Sequence, residues 1–112
     1  MPGLRVLLTN ITLASRTGTE INLRDLAISL LRAGHRPVVY SPTLGAIADE
    51  IRAATVPVVS ELAAVGSPPE VIHGHHHPQT MAALLRFPGV PAVFFAHAWN
   101  AWWDVPPRFP RI

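Results

Sequence analysis

The chain has 112 residues, 49% of them apolar and only 14% charged, which is enough for one compact domain and too few for two. That balance excludes a disordered tail, and the absence of cysteine excludes a disulfide scaffold, thiolate zinc fingers and thiol catalysis. The formal net charge is +2, and all nine basic residues are arginines scattered between Arg5 and Arg111, with no run that would mark a nucleic-acid stripe. Residues 4–9 (LRVLLT) form a nearly continuous apolar run, as expected of a strand buried on both faces. A polar segment over 10–18 reads as a flexible loop. Residues 19–33 follow as a helix, with Leu23, Leu26, Ala27, Leu30 and Leu31 at helical spacing. Thr17 and Glu20 have the T-x-x-E spacing of a capping box, and Gly34 stands just past the helix end.

Residues 37–41 read as a second strand and 44–54 as a second helix, with Ile47 and Ile51 one turn apart. Residues 56–59 give a third strand whose Pro57 places it at a sheet edge, and 61–65 add a helical turn. Residues 71–73 are a short fourth strand, 79–86 a third long helix with Pro78 at its first turn, and 91–97 (PAVFFAH) a fifth strand. Strands alternating with helices at this spacing imply a Rossmann-like three-layer α/β/α fold, with a mostly parallel sheet of about five strands in one domain over 1–112. The apolar stretch 6–8 is too short for a signal peptide. The uncharged run 87–103 holds two prolines, a histidine and an asparagine, and makes a poor membrane span. Both readings imply a soluble, cytoplasmic chain.

In open α/β sheets ligands bind outside the carboxyl ends of the strands, where the strand order reverses. With the first and fourth strands as neighbours there, segments 10–20, 73–78 and 97–103 converge. In the first, Arg16-Thr17-Gly18-Thr19 opens a helix whose free N–H groups and dipole suit an anion; a plain capping box explains the same residues. It is neither G-x-G-x-x-G nor a P-loop. In the second, four histidines stand in the five positions 73–77. Extended-chain alternation puts His73, His75 and His77 on one side, which invites a metal reading. No carboxylate or thiol lies nearby to complete a structural shell, and the alternative is histidines that bond the backbone or line a cleft. In the third, His97 ends a strand and is placed for proton transfer. Trp99, Trp102 and Trp103 offer sugar stacking, an apolar lid, or simple packing.

Taken together, LRVLLTN at 4–10, TGTE at 17–20 before LRDLAISLLRAGH at 23–35, PVVYSP at 37–42, ADEIRAATVPVV at 48–59, EVIHGHH at 70–76 and VPAVFFAH at 90–97 resemble the amino-terminal, acceptor-side domain of a family 4 glycosyltransferase of the two-domain GT-B fold. The resemblance spans nearly the whole chain in order. It implies a retaining transfer of a sugar from a nucleotide-sugar donor to a sugar or lipid-sugar acceptor, without a metal or other cofactor. It implies that Thr17, Gly18 and Thr19 approach the donor diphosphate, with Thr17 standing where the family loop has the first of two glycines. It further implies that His97 is the catalytic histidine near the transferred sugar, and that Asn10, Arg16, His75, Trp99 and Asn100 bind substrate. Glu20 matches the acidic residue after the glycines and reads chiefly as the cap.

The family's second Rossmann domain, with its E-x(7)-E motif, is not in the sequence. The expectation is therefore a truncated GT-B amino-terminal domain, inactive alone. Val93, Phe94 and Phe95 then form an exposed apolar edge that pairs with a second copy as a homodimer or through a swapped tail. Partners otherwise expected are the nucleotide-sugar and the acceptor, with room for peripheral membrane contact and none for nucleic acid. Competing readings are a non-catalytic sugar- or nucleotide-binding module or partner subunit, another GT-B enzyme such as a nucleotide-sugar epimerase, and a histidine-cluster metal protein.

Overall fold

The computed structural model describes residues 3–96 and 102–108. Strands β1 (Arg5–Thr9), β2 (Arg36–Tyr40), β3 (Val58–Val59), β4 (Val71–Gly74) and β5 (Ala92–Phe94) form one all-parallel sheet in the order β3-β2-β1-β4-β5. Helices α1 (Gly18–Arg32), α2 (Ala46–Ala53) and α3 (His77–Arg86) complete the Rossmann-like three-layer α/β/α domain. Short 3₁₀ turns lie at Leu62–Ala64 and Trp102–Asp104.

The period-2 geometry of the strands divides the core in two. Val6 and Leu8 of β1 and Val39 of β2 are buried against Leu23 and Ala27 of α1 and Ile47 and Ile51 of α2. Leu7 of β1 and Ile72 of β4 face the other way, against Ala83, Leu84 and Phe87 at α3. Each such leucine or isoleucine, fully removed from water, contributes about 1.5–3 kcal/mol. Because the central strand β1 is loaded on both sides, it reads in sequence as an unbroken apolar run.

The helix punctuation follows the sequence. Thr17 is the N-cap of α1, and the capping box with Glu20 is present. Gly34, just beyond the helix, has φ +91°, a left-handed conformation that glycine adopts without a Cβ penalty. The third helix begins two residues earlier than its periodicity predicts, at His77, with Pro78 in the first turn where a missing N–H costs nothing. Gly74 of β4 lies under that helix: a Cβ there would stand 2.3 Å from Thr80 Oγ1 and 2.6 Å from its Cγ2, so glycine allows α3 to sit close on the sheet.

Three expectations need correction. The segment after β1 is not a free loop, because Leu13 is fully buried in the core. The Leu13 N–H donates to the Thr43 carbonyl at 2.8 Å and its carbonyl accepts from the Ile47 N–H at 3.1 Å, which clips the segment to the start of α2. The fifth strand is shorter than 91–97, although the Phe95 N–H still donates to the Gly74 carbonyl at 2.9 Å. Finally, His73, His75 and His77 do not share one side. The strand stops at Gly74, His76 turns the chain with φ +70°, and His77 is already helical. Among the described residues, no helix is long and apolar enough to cross a membrane.

Candidate functional site

The strand order reverses between β1 and β4, and the segments that follow these two strands meet there. Their meeting is stitched by side chains. Thr9 Oγ1 donates to the His75 carbonyl and accepts from the His75 N–H, each at 3.1 Å. The Ile11 N–H donates to His76 Nδ1 at 3.0 Å, which requires that Nδ1 carry no proton. Asn10 is fully buried, its Nδ2 donating to the Thr12 carbonyl at 2.7 Å, while its Oδ1 accepts no hydrogen bond from the described residues.

The start of α1 is served by the chain's own anion. The buried Glu20 carboxylate accepts from the Ser15 N–H at 2.8 Å, from Ser15 Oγ at 3.2 Å, from the Thr17 N–H at 3.4 Å and from Thr17 Oγ1. A negative group placed there meets the positive end of the helix dipole. Thr17 and Gly18 are exposed, and nothing lies within 4 Å of a Cβ built on Gly18. The expected phosphate-approaching residues therefore do sit at an open helix start, beside a carboxylate that already takes the N–H groups of the preceding turn. Arg16 is drawn the other way, into an ion pair with Glu50 of α2. Glu50 also holds Arg24 at 3.0 Å. The Arg24 guanidinium is raised above the usual arginine value, chiefly by its hydrogen bond to Asp25 and then by Glu50, against an opposing effect of desolvation.

A cleft of about 330 Å³ opens between α1 and the carboxyl ends of β4 and β5, lined by Asn22, Leu26, His73, His75 and Phe95. Its wall is a stack of rings. The His75 and Phe95 centroids are 5.7 Å apart with planes 21° from parallel, the His73 and Phe95 centroids are 6.3 Å apart at 27°, and His73 and His75 lie 4.9 Å apart. The register explains this clustering. His73 pairs with Val93 across β4 and β5, so alternation carries His73, His75, Val93 and Phe95 to the α1 side of the sheet. Phe95 is 51% exposed and offers ring surface to the cleft, with the Asn22 amide on the opposite wall.

Of the residues singled out from sequence, His75 lines this cleft, Asn10 lies at the end of β1, and Thr17, Gly18 and Thr19 open α1. Arg16 belongs to the α1–α2 ion pairs. His97, Trp99 and Asn100 lie outside the described residues. Trp102 and Trp103 sit in the 3₁₀ turn packed on α3. Among the described residues, no three histidine, aspartate or glutamate side chains come together as a metal-holding group. His77 is turned away by the helix and hydrogen-bonds Val105 instead. Sequence reasoning missed Asn22, Leu26 and Phe95. The available signals were the four-residue step from Gly18 through Asn22 to Leu26 along α1, and the two-residue steps linking Val93 with Phe95 and His73 with His75.

In comparisons with known proteins, no family model, no curated protein and no solved structure matches the chain.

Proposed function

We propose that this chain is the acceptor-side domain of a retaining glycosyltransferase, holding a sugar-bearing acceptor while a donor-binding half supplies the nucleotide-sugar. The observation that carries this reading is the cleft at the carboxyl ends of β4 and β5. An exposed Phe95 face, backed by the stacked His73 and His75 rings, suits the C–H face of a pyranose ring, and the exposed Asn22 amide supplies a hydrogen-bonding edge beside it. Its place beside the reversal of strand order is where α/β sheets gather ligands. Glu20 supports an acceptor role over a diphosphate role for this half, because its carboxylate already takes the Ser15 and Thr17 N–H groups and sets a negative charge at the helix start, where a diphosphate would meet it. In this reading Thr17, Gly18 and Thr19 border the cleft on the donor side, His97 serves the transferred sugar, and no metal or other cofactor takes part. Transfer by this polypeptide then depends on the donor-binding half, and the cytoplasm, where nucleotide-sugars are supplied, is its place of work.

The test is chemical-shift mapping of the ¹⁵N-labelled chain against a panel of mono- and disaccharides, with uridine and guanosine diphosphates as comparison. Sugars are expected to move the amides of Asn22, His73, His75 and Phe95. Nucleotide-induced shifts at Gly18 and Thr19 without any sugar response would replace this reading with a nucleotide-binding module. A second copy competes for the same edge, since Val93 is 56% exposed on the outermost strand. A homodimer in sedimentation velocity, lost in Val93→Arg, would mark that edge as a subunit interface.

A further inference from the structure

A second cleft, of about 310 Å³, opens at the other end of the sheet, where β1 and β2 begin. Val38 of β2 and Val59 of β3 line it and pack there with Val65, from the chain that leads into β4. Pro37, Pro57 and Pro69 extend this apolar lining. Apart from Ser67, the polar side chains in the lining are two arginines, Arg5 and Arg36.

These arginines are direct partners in the β1–β2 register. Parallel pairing sets both side chains on one face, on strands about 4.8 Å apart, and like charges so placed oppose each other. Arg5 is tied down by the chain itself. Its Nε donates to the Pro68 carbonyl at 2.9 Å, and its Nη1 stands 3.6 Å from Glu70 Oε1. The same Glu70 oxygen accepts from the Arg5 backbone N–H at 3.0 Å. Arg36 is exposed, and among the described residues no carboxylate pairs with it. One acid thus answers two guanidinium groups, and a positive charge is left over beside apolar walls.

The lining selects its ligand by chemistry. A guanidinium holds a carboxylate through two parallel N–H···O bonds. Valine and proline side chains offer no hydrogen bonds and favour an apolar body. The volume lies at the small end of ligand sites. We propose that this cleft binds a small organic carboxylate with an apolar ring, the ring against Val38, Val59, Val65 and the prolines and the carboxylate on Arg36 beside Arg5. The site is at the opposite end of the sheet from Phe95 and is independent of the sugar-acceptor reading.

The probe is benzoate, titrated into the ¹⁵N-labelled full chain, with benzamide, acetate and inorganic phosphate as controls. Benzoate is expected to bind with a Kd of about 1 mM or tighter. It should move the amides of Val38, Val59, Gly66 and Ser67 and leave those of Asn22 and His75 in place. Benzamide lacks the charge, and acetate and phosphate lack the ring, so each should bind about tenfold more weakly or worse. Arg36→Gln should lose about tenfold in benzoate affinity and Arg36→Lys less. Without ligand, Arg36→Gln should melt no lower than the wild type, because a like charge has left the register; a merely structural arginine would not behave so. Wild-type benzoate affinity in Arg36→Gln, a clearly lower melting temperature of that variant without ligand, or benzamide or phosphate binding as tightly as benzoate would each overturn the proposal. So would the absence of shifts at the cleft amides at about ten times the expected Kd.

Discussion

The hydroxyl of Thr9 and the backbone of His75 exchange two hydrogen bonds of 3.1 Å, Oγ1 donating to the carbonyl and accepting from the N–H of the same residue. This side chain continues the β1–β4 pairing past the last backbone partners, Leu8 and His73. It therefore sets how far the β4–α3 turn stands from the β1–α1 segment, and with it the position of the His75 ring in the cleft. Thr9→Val keeps the shape and removes both bonds to the buried His75 backbone. A loss of about 2–3 kcal/mol is expected, measured by urea unfolding, while Thr9→Ser should cost less than half of that. A valine variant as stable as the wild type would show that the two strands are held by packing alone.

Glu20 is the anion of the α1 start, and its removal should loosen the segment it gathers. Glu20→Ala is expected to destabilise the chain by about 2–3 kcal/mol, and Glu20→Gln by about 1 kcal/mol, since the amide accepts with one oxygen only. The diagnostic readout is local. Hydrogen exchange at the Ser15 and Thr17 amides should speed up by more than global unfolding accounts for, while the Leu13 amide, bonded to the Thr43 carbonyl, stays protected. Equal acceleration at all three would mean that Glu20 acts only on overall stability.

These two side chains also mark where sequence reading succeeds and where it stops. The T-x-x-E cap of α1, the apolar run of β1 and the proline at the first turn of α3 are local chemistry, and local chemistry survives into the fold. The burial of Leu13 is not local. A leucine between polar residues looks like part of a loop until β2 and α2 offer it a socket. The histidine run fails for a similar reason. Alternation holds only while the strand continues, and the positive φ at His76 ends it within three residues of His73. The cleft joins residues 22–26 to 73–75 and 95, and only the β4–β5 register brings them together.

Gly74 tests how closely α3 is seated. In Gly74→Ala the new methyl meets Thr80 Oγ1 at 2.3 Å and Cγ2 at 2.6 Å, distances that force the helix or the strand to shift. A cost of about 2–3 kcal/mol is expected from this overpacking. The Thr80 hydroxyl also donates to the His76 carbonyl at 2.8 Å, so Thr80→Ala is itself destabilising by about 1 kcal/mol. Combined, the two substitutions should cost less than the sum of the singles, because the second removes the atoms the first collides with. Additive losses in thermal unfolding would place the strain elsewhere.

Phe95 is placed to separate binding from folding. It is half exposed at the sheet edge and stacks on His75 and His73, so Phe95→Ala removes ring surface without opening a cavity in either core cluster. Its effect on stability should stay within about 1 kcal/mol, the scale of a partly exposed aromatic pair. If the ring is the platform for an acceptor sugar, the same substitution should weaken saccharide binding by about tenfold, equivalent to the 1.4 kcal/mol that a lost stacking contact can supply. Phe95→Tyr should retain most of the affinity, since the ring face is kept. Asn22→Ala, on the other wall, should weaken binding through a lost hydrogen bond and leave unfolding unchanged. Saccharide titration by calorimetry distinguishes these outcomes. Loss in Phe95→Ala with retention in Phe95→Tyr identifies a stacking platform. Unchanged affinity in all three variants would remove the cleft, and with it the main support for an acceptor-side role.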